Sequence, residues 1–118
     1  MILLVEDEPR SRRVFSQILR ESGYQVQEAG DGNEALGLLG ERVFDLVITD
    51  LCLPDMDGLN IINFLSARCP KTPLVVISGY ISQDAGSIIL EGTAAYIQKP
   101  IRGEALIEIV QRLAPKSN

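Results

Sequence analysis

The stretches Ile2-Leu3-Leu4-Val5 and Leu46-Val47-Ile48-Thr49 run without polar alternation and end on acids. Glu6 and Asp7 close the first, and Asp50 closes the second. A strand that is apolar on both faces needs cover on both, which is the condition of a parallel sheet whose crossovers are helices. Ligands of such sheets sit beyond the carboxyl ends of the strands. Carboxylates gathered there would repel one another by about 4 kcal/mol per pair at ~4 Å and an effective dielectric of ~20. The chain therefore implies a cation held at one edge of a sheet.

Strand and helix patterns alternate five times. Strands are expected at 2–6, 24–28, 44–50, 73–78 and 94–98, and helices at about 9–22, 32–41, 58–68, 83–91 and 103–113. In the first helix Val14, Phe15, Ile18 and Leu19 recur at the helical period, opposite a face carrying Arg12, Arg13, Gln17 and Arg20, with Gly23 as its stop signal. The strand at 24–28 is the least apolar and suits a sheet edge. Short connections between regularly alternating elements predict an α/β fold: a flavodoxin-like five-stranded parallel sheet in the order 2-1-3-4-5, with five helices on two faces.

The 118 residues, 46% of them hydrophobic, suit one domain over 1–114, with 115–118 as tail or linker. No apolar run of about 18 residues and no signal-peptide pattern is read, so a cytoplasmic protein with no membrane insertion is expected. Residues 1–59 carry twelve acidic and five basic groups, and 60–118 carry four acidic and six basic. Without a Lys/Arg cluster to neutralise phosphates, direct nucleic-acid binding is not expected. The chain has no histidine, which removes most zinc sites, His-based nucleophile triads and any phosphohistidine of its own. Cys52 and Cys69 lack a metal-ligand spacing and read as free thiols.

The strand ends supply a coherent chemistry. Ser78 ends the fourth strand and Lys99 follows the fifth, so five side chains from four strands converge on the acidic edge. Oxygen ligands suit magnesium, which is held by one or two carboxylates and keeps several waters. A lysine and a hydroxyl beside it supply positive charge and a donor for the equatorial oxygens of a transferring phosphoryl group. A carboxylate is the natural nucleophile, forming an aspartyl phosphate.

Val5-Glu6-Asp7-Glu8-Pro9, Asp50 with Pro54 and Gly58 downstream, Ser78-Gly79 and Lys99-Pro100 together resemble the receiver domain of two-component response regulators, across essentially the whole chain. The resemblance implies that Asp50 is the phosphoacceptor and that Asp7 binds magnesium directly. It implies that Glu6 acts on the ion through water and that the backbone carbonyl of Cys52 completes the protein ligands. Ser78 and Lys99 then contact the phosphoryl group, Tyr96 is the rotating aromatic of a switch, and Lys99-Pro100 is a cis-proline position. It implies a phosphorelay partner, a histidine kinase or a histidine phosphotransfer domain, and an output partner or attached effector domain that the chain does not identify. Ser78-Gly79-Tyr80 with Tyr96-Ile97-Gln98-Lys99-Pro100 looks most like receivers attached to hybrid histidine kinases. Such a domain is a signalling switch that catalyses only its own phosphorylation and dephosphorylation.

Three features depart from the family pattern. Many members carry aspartate at the position of Glu6. Cys52 and Tyr80 occupy positions that the family uses to control water access to the acyl phosphate, and neither positions water well. Gly92-Thr93-Ala94-Ala95-Tyr96 lacks the acidic pair of the transcription-factor subfamily that dimerises through its last two helices. Among other functions for this fold, a flavin binder would need a Ser/Thr/Gly-rich loop after the first strand, where Glu6-Asp7-Glu8 would repel phosphate. A haloacid-dehalogenase-type phosphatase would need an aspartate at position 52. A phosphorylation-independent pseudo-receiver, acting only as a docking module, is the remaining alternative.

Overall fold

The uninterrupted apolar runs form the middle of the sheet. The computed structural model describes residues 1–56, 58–79 and 95–115. In chain order these form β1 (Ile2–Val5), α1 (Pro9–Glu21), β2 (Val26–Ala29), α2 (Gly32–Glu41), β3 (Leu46–Asp50), α3 (Leu59–Arg68), β4 (Leu74–Ser78), β5 (Ala95–Gln98) and α4 (Gly103–Leu113). All neighbouring strands pair parallel, in the order β2-β1-β3-β4-β5. The expected sheet and strand order are present. The helix expected at 83–91 lies outside the described residues, as does Tyr80.

Strand alternation sorts the apolar side chains into two layers. Leu3, Val5, Val47, Leu74 and Val76 face Ala35, Leu39, Ile61 and Leu65 of α2 and α3. Ile2, Leu4, Leu46, Ile48, Val75 and Ile77 face Leu19 of α1 and Leu106 and Val110 of α4. A fully buried Leu, Ile or Val contributes about 1.5–3 kcal/mol relative to exposure, so β1, β3 and β4, buried along their whole length, anchor the domain. β2 is only half-buried, as an edge strand should be.

Two expectations are corrected. β2 begins at Val26 rather than Tyr24 because the chain is still closing α1 there. Gly23 sits at φ 95°, a left-handed conformation that favours glycine. The Tyr24 amide then donates to the Leu19 carbonyl at 3.1 Å, and its hydroxyl to the Ala114 carbonyl at 2.9 Å. The buried stripe of α1 is also rotated from the expected one. Val14 is 52% exposed, while Ser16 and Leu19 are buried and Arg12, placed on the outer face by periodicity, is half-buried. Near the carboxyl edge of the sheet the helix faces strand-end carbonyls and carboxylates, where an arginine head is better placed than a valine.

The turn after β3 is held by close backbone approach. The Gly58 amide donates to the Leu51 carbonyl at 2.8 Å, and a Cβ at Gly58 would lie 2.9 Å from the Leu51 Cα and carbonyl oxygen. Gly37 in α2 has nothing within 4 Å of the corresponding position. Gly58→Ala should therefore cost about 1–3 kcal/mol through overpacking, whereas Gly37→Ala should stabilise by about 0.5–1 kcal/mol through helix propensity. Urea unfolding of the two variants checks the opposite signs.

Candidate functional site

Register brings the strand ends to one edge. Val5 lies opposite Thr49, Asp50 opposite Ile77, and Ser78 opposite Gln98. Glu6, Asp50, Ser78 and Lys99 therefore leave the sheet together. The acidic run 6–8 divides by role. Glu8 is the N-cap of α1, its carboxylate accepting from the Arg10 and Ser11 amides at 3.1 and 2.7 Å, with Pro9 at the start of the helix. Those bonds, chiefly from Ser11, hold the Glu8 carboxyl below its ordinary range. Glu6 and Asp7 are left for the site.

Glu6, Asp7 and Asp50 each offer a carboxylate oxygen within 4.8 Å of the others. Glu6 is 3% and Asp50 8% exposed, while Asp7 faces solvent. Lys99 Nζ donates to Asp50 Oδ2 at 2.6 Å and to Glu6 Oε1 at 3.1 Å, bridging the two buried carboxylates. The Cys52 amide donates to Asp50 Oδ1 at 3.0 Å, so both Asp50 oxygens are held. Burial pushes the Glu6 carboxyl above its ordinary range, and the Asp50 charge adds to this against the opposing pull of Lys99. Burial alone would lower the Lys99 ammonium, but the bonds to Asp50 and Glu6 outweigh it and hold it raised. Glu6 Oε2 is buried with no partner among the described residues.

That unpartnered oxygen tests the fit of a cation. A buried carboxylate oxygen without a donor is costly, and three carboxylates facing one lysine leave an excess of two negative charges. An all-oxygen donor set open to solvent through Asp7 fits magnesium with part of its water shell.

Ser78 is buried at the end of β4. Its carbonyl accepts from the Lys99 amide at 2.9 Å and the Tyr96 hydroxyl at 3.4 Å. Tyr96 is half-buried, packed against the layer that faces α2 and α3. Ser78 and Tyr96 share strand parity with that layer, whereas Asp50 continues the parity of Leu46 and Ile48. The Lys99–Pro100 peptide is cis. Cys52 is exposed and unbridged, and Tyr80 lies outside the described residues.

Several supporting residues carry no motif in the sequence. Arg12 Nη1 donates to the Glu6 carbonyl at 2.7 Å, and Thr49 Oγ1 donates to the Asp50 carbonyl at 3.0 Å. Asp55 accepts from the Gly32 and Asn33 amides, both at 2.8 Å, tying the loop after Asp50 to the start of α2. These bonds, Gly32 first, lower the Asp55 carboxyl below its ordinary range. Asp31 is the N-cap of α2, its carboxylate accepting from the Glu34 amide at 2.8 Å, and Asp55 adds a second cap from further along the chain.

The family model for the response regulator receiver domain matches residues 2–111. The response regulator protein FleR of Pseudomonas aeruginosa is 32% identical over 114 residues, covering 96% of this chain and 24% of FleR. A CheY-like response regulator receiver domain protein from Methanospirillum hungatei superposes with TM-score 0.90 at 32% identity, covering 95% of this chain and 91% of that one. The response regulator protein TrrA from Thermotoga maritima, solved in complex with Mg(2+)-BeF, superposes with TM-score 0.86 at 28% identity, covering 95% and 96%. This chain spans about a quarter of the length of FleR and of the regulator PilR from the same organism.

The raised Glu6 carboxyl sets the sign of a pH effect. A carboxyl that binds its proton more tightly in the folded state favours folding at low pH, and that contribution is lost as pH rises from the ordinary carboxylate value through the raised one. Without divalent metal, Glu6→Gln should lack this loss and gain stability relative to wild type between mildly acidic and neutral pH. Urea unfolding across that range in a chelator measures the difference, and a constant gap between the two proteins would contradict it.

Proposed function

The chain belongs to the response regulator receiver domain family, and from that premise we propose that it is a phosphoryl-accepting switch with Asp50 as the acceptor. The observation that carries this reading is the bridge from Lys99 to Asp50 and Glu6 beside Asp7. A partner's phosphohistidine is the donor. The N–P bond breaks with its electron pair leaving on the imidazole, and an Asp50 carboxylate oxygen forms the new O–P bond. Magnesium, when bound, neutralises charge on the phosphoryl oxygens. Glu6, Asp7, Asp50 and the backbone carbonyl of Cys52 would hold it on the protein side. The relative TrrA was solved with Mg(2+)-BeF, which supports the same ligand class here.

Lys99 begins paired to Asp50 and re-pairs with a phosphoryl oxygen as the acyl phosphate forms, so the site keeps its cation throughout. Ser78 is the hydroxyl donor to the phosphoryl group. Its movement toward that group is transmitted to Tyr96 through the shared backbone contact at the Ser78 carbonyl, remodelling the face around β5 and α4. The proposed receiver unit is 1–114, with 115–118 as tail or linker. The phosphorelay partner is a histidine kinase or histidine phosphotransfer domain, and the output is a protein interaction in the cytoplasm rather than direct nucleic-acid binding.

A small acyl-phosphate donor with magnesium should add one phosphoryl group to the wild type and none to Asp50→Asn, read by intact-protein mass spectrometry. Stoichiometric labelling of Asp50→Asn would remove Asp50 as the acceptor. No labelling of either protein would favour the pseudo-receiver.

The phosphorylated state should be long-lived for its class. Hydrolysis needs a water aligned opposite the leaving carboxylate, and Cys52, exposed beside Asp50, is a weak hydrogen-bonding group. Tyr80 is the second position of this control in the family's pattern. Cys52→Asn with Tyr80→Glu should speed loss of the phosphoryl label about tenfold after donor removal, equivalent to ~1.4 kcal/mol of barrier. An unchanged rate would show that these side chains do not gate the water.

A further inference from the structure

Arg10, Arg12 and Arg13 crowd the first turns of α1, where the helix dipole disfavours cations. Arg12 is turned back toward the sheet. Its backbone follows the Glu8 cap, its amide donating to the Glu8 carbonyl at 3.0 Å, and it is half-buried on the same stripe of α1 as Ser16 and Leu19. Nη1 donates to the Glu6 carbonyl at 2.7 Å, and Nε lies 3.7 Å from Glu28 Oε1 on β2. The space is close-fitting: a Cβ at Gly30 would stand 3.1 Å from Arg12 Nη1.

The Glu6 carbonyl lies one residue past the end of β1, while the Glu6 amide is tied to the Ala29 carbonyl at 3.0 Å. Both ends of Glu6 are thereby fixed. The carbonyl orients the peptide between Glu6 and Asp7, and that peptide sets the spacing of two carboxylates that must converge with Asp50. A charge-assisted bond to it is stronger than a neutral one, and the planar guanidinium holds Nη1 on the carbonyl and Nε toward Glu28 in one fixed fork, which a flexible ammonium does not reproduce.

We propose that Arg12 is a positioning residue of the metal site, fixing the Glu6–Asp7 peptide and so setting magnesium affinity without touching the ion. This rests on the reading of Glu6, Asp7 and Asp50 as the magnesium site. Arg12 acts from behind the acidic cluster, anchored by Glu28, which it shares with Arg20 at 3.5 Å.

Calorimetric titration of metal-free protein with magnesium chloride tests the assignment on wild type, Arg12→Met, Arg12→Lys and Glu28→Gln. Arg12→Met should raise the dissociation constant about tenfold, the usual scale for losing a partner behind a metal ligand. Arg12→Lys keeps the charge without the fork and should raise it about threefold. Glu28→Gln, which leaves the bond to Glu6 in place, should change it by less than about twofold. Phosphorylation by a small acyl phosphate at saturating magnesium should run within about twofold of wild type in Arg12→Met, with the defect confined to the magnesium half-saturation point. The Asp7 amide of metal-free Arg12→Met should exchange with solvent faster than in wild type.

Wild-type magnesium affinity in both Arg12 variants would overturn the assignment. Should Arg12→Met not fold, Arg12→Lys decides by the same criterion. A wild type that takes up no magnesium overturns the metal reading itself and this inference with it, an outcome distinct from normal uptake by the variants.

Discussion

One lysine against three carboxylates governs this molecule. Parallel register brings Glu6 and Asp50 to the same sheet edge in nearly dry surroundings. Each such pair of charges opposes folding by about 4 kcal/mol at ~4 Å and an effective dielectric of ~20. Lys99 bridges both, reaching from the end of β5 past the end of β4 to the carboxylates that close β3 and β1. A buried pair that loses one partner is strongly destabilised, so the lysine is structural as well as chemical. It is also insufficient: the remaining negative charge and the unpartnered Glu6 Oε2 suit the edge to a divalent cation.

The sheet was legible because its central strands are apolar on both faces, a pattern that helices reproduce poorly at that length. The site was legible for the same reason, since in parallel sheets function collects where the strands stop. The support around it was not. Glu8 and Glu6 are chemically identical neighbours of Asp7, yet one caps α1 and the other enters the site, and only the chain direction after Val5 decides which. Arg12 reads as solvent-facing by helical period, because the period cannot see that α1 overhangs a row of strand-end carbonyls. Asp55 looks like a turn residue in a Pro-Asp-Met-Asp-Gly run, and its second role depends on α2 starting beside it.

That second role helps hold the loop after Asp50 in place. Asp55 holds two amides at the start of α2, where the dipole also favours an anion. Met56 fills the space above Gly32, where a Cβ would lie 2.4 Å from its side chain. Gly58 closes the loop onto Leu51. Three anchors within eight residues of Asp50 fix the Cys52 amide that holds Asp50 Oδ1. Under the proposed phosphoryl transfer, conformational freedom lost in folding would already be absent when the donor arrives, lowering the entropic share of the barrier.

The residues of the proposed switch lie on β4 and β5. Asp50 and Lys99 follow the parity of the α1 and α4 layer, whereas Ser78 and Tyr96 belong to the opposite layer. The two layers meet at the Ser78 carbonyl, which receives the Lys99 amide from one side and the Tyr96 hydroxyl from the other. A displacement of Ser78 would therefore perturb together the lysine bonded to Asp50 and the aromatic that packs the far layer. The Tyr96 contact, at 3.4 Å, is the longer of the two. A net hydrogen bond contributes about 0.5–1.5 kcal/mol, so exchanging one for another shifts a two-state surface several-fold rather than locking it. Population shifts near 10⁴ require about 5.5 kcal/mol of differential binding, and the tyrosine contact cannot supply that alone. In the proposed switch the larger share comes from the charge that Lys99 would follow from carboxylate to phosphoryl oxygen. On the same proposal Tyr96 would set which face of the domain reports the change.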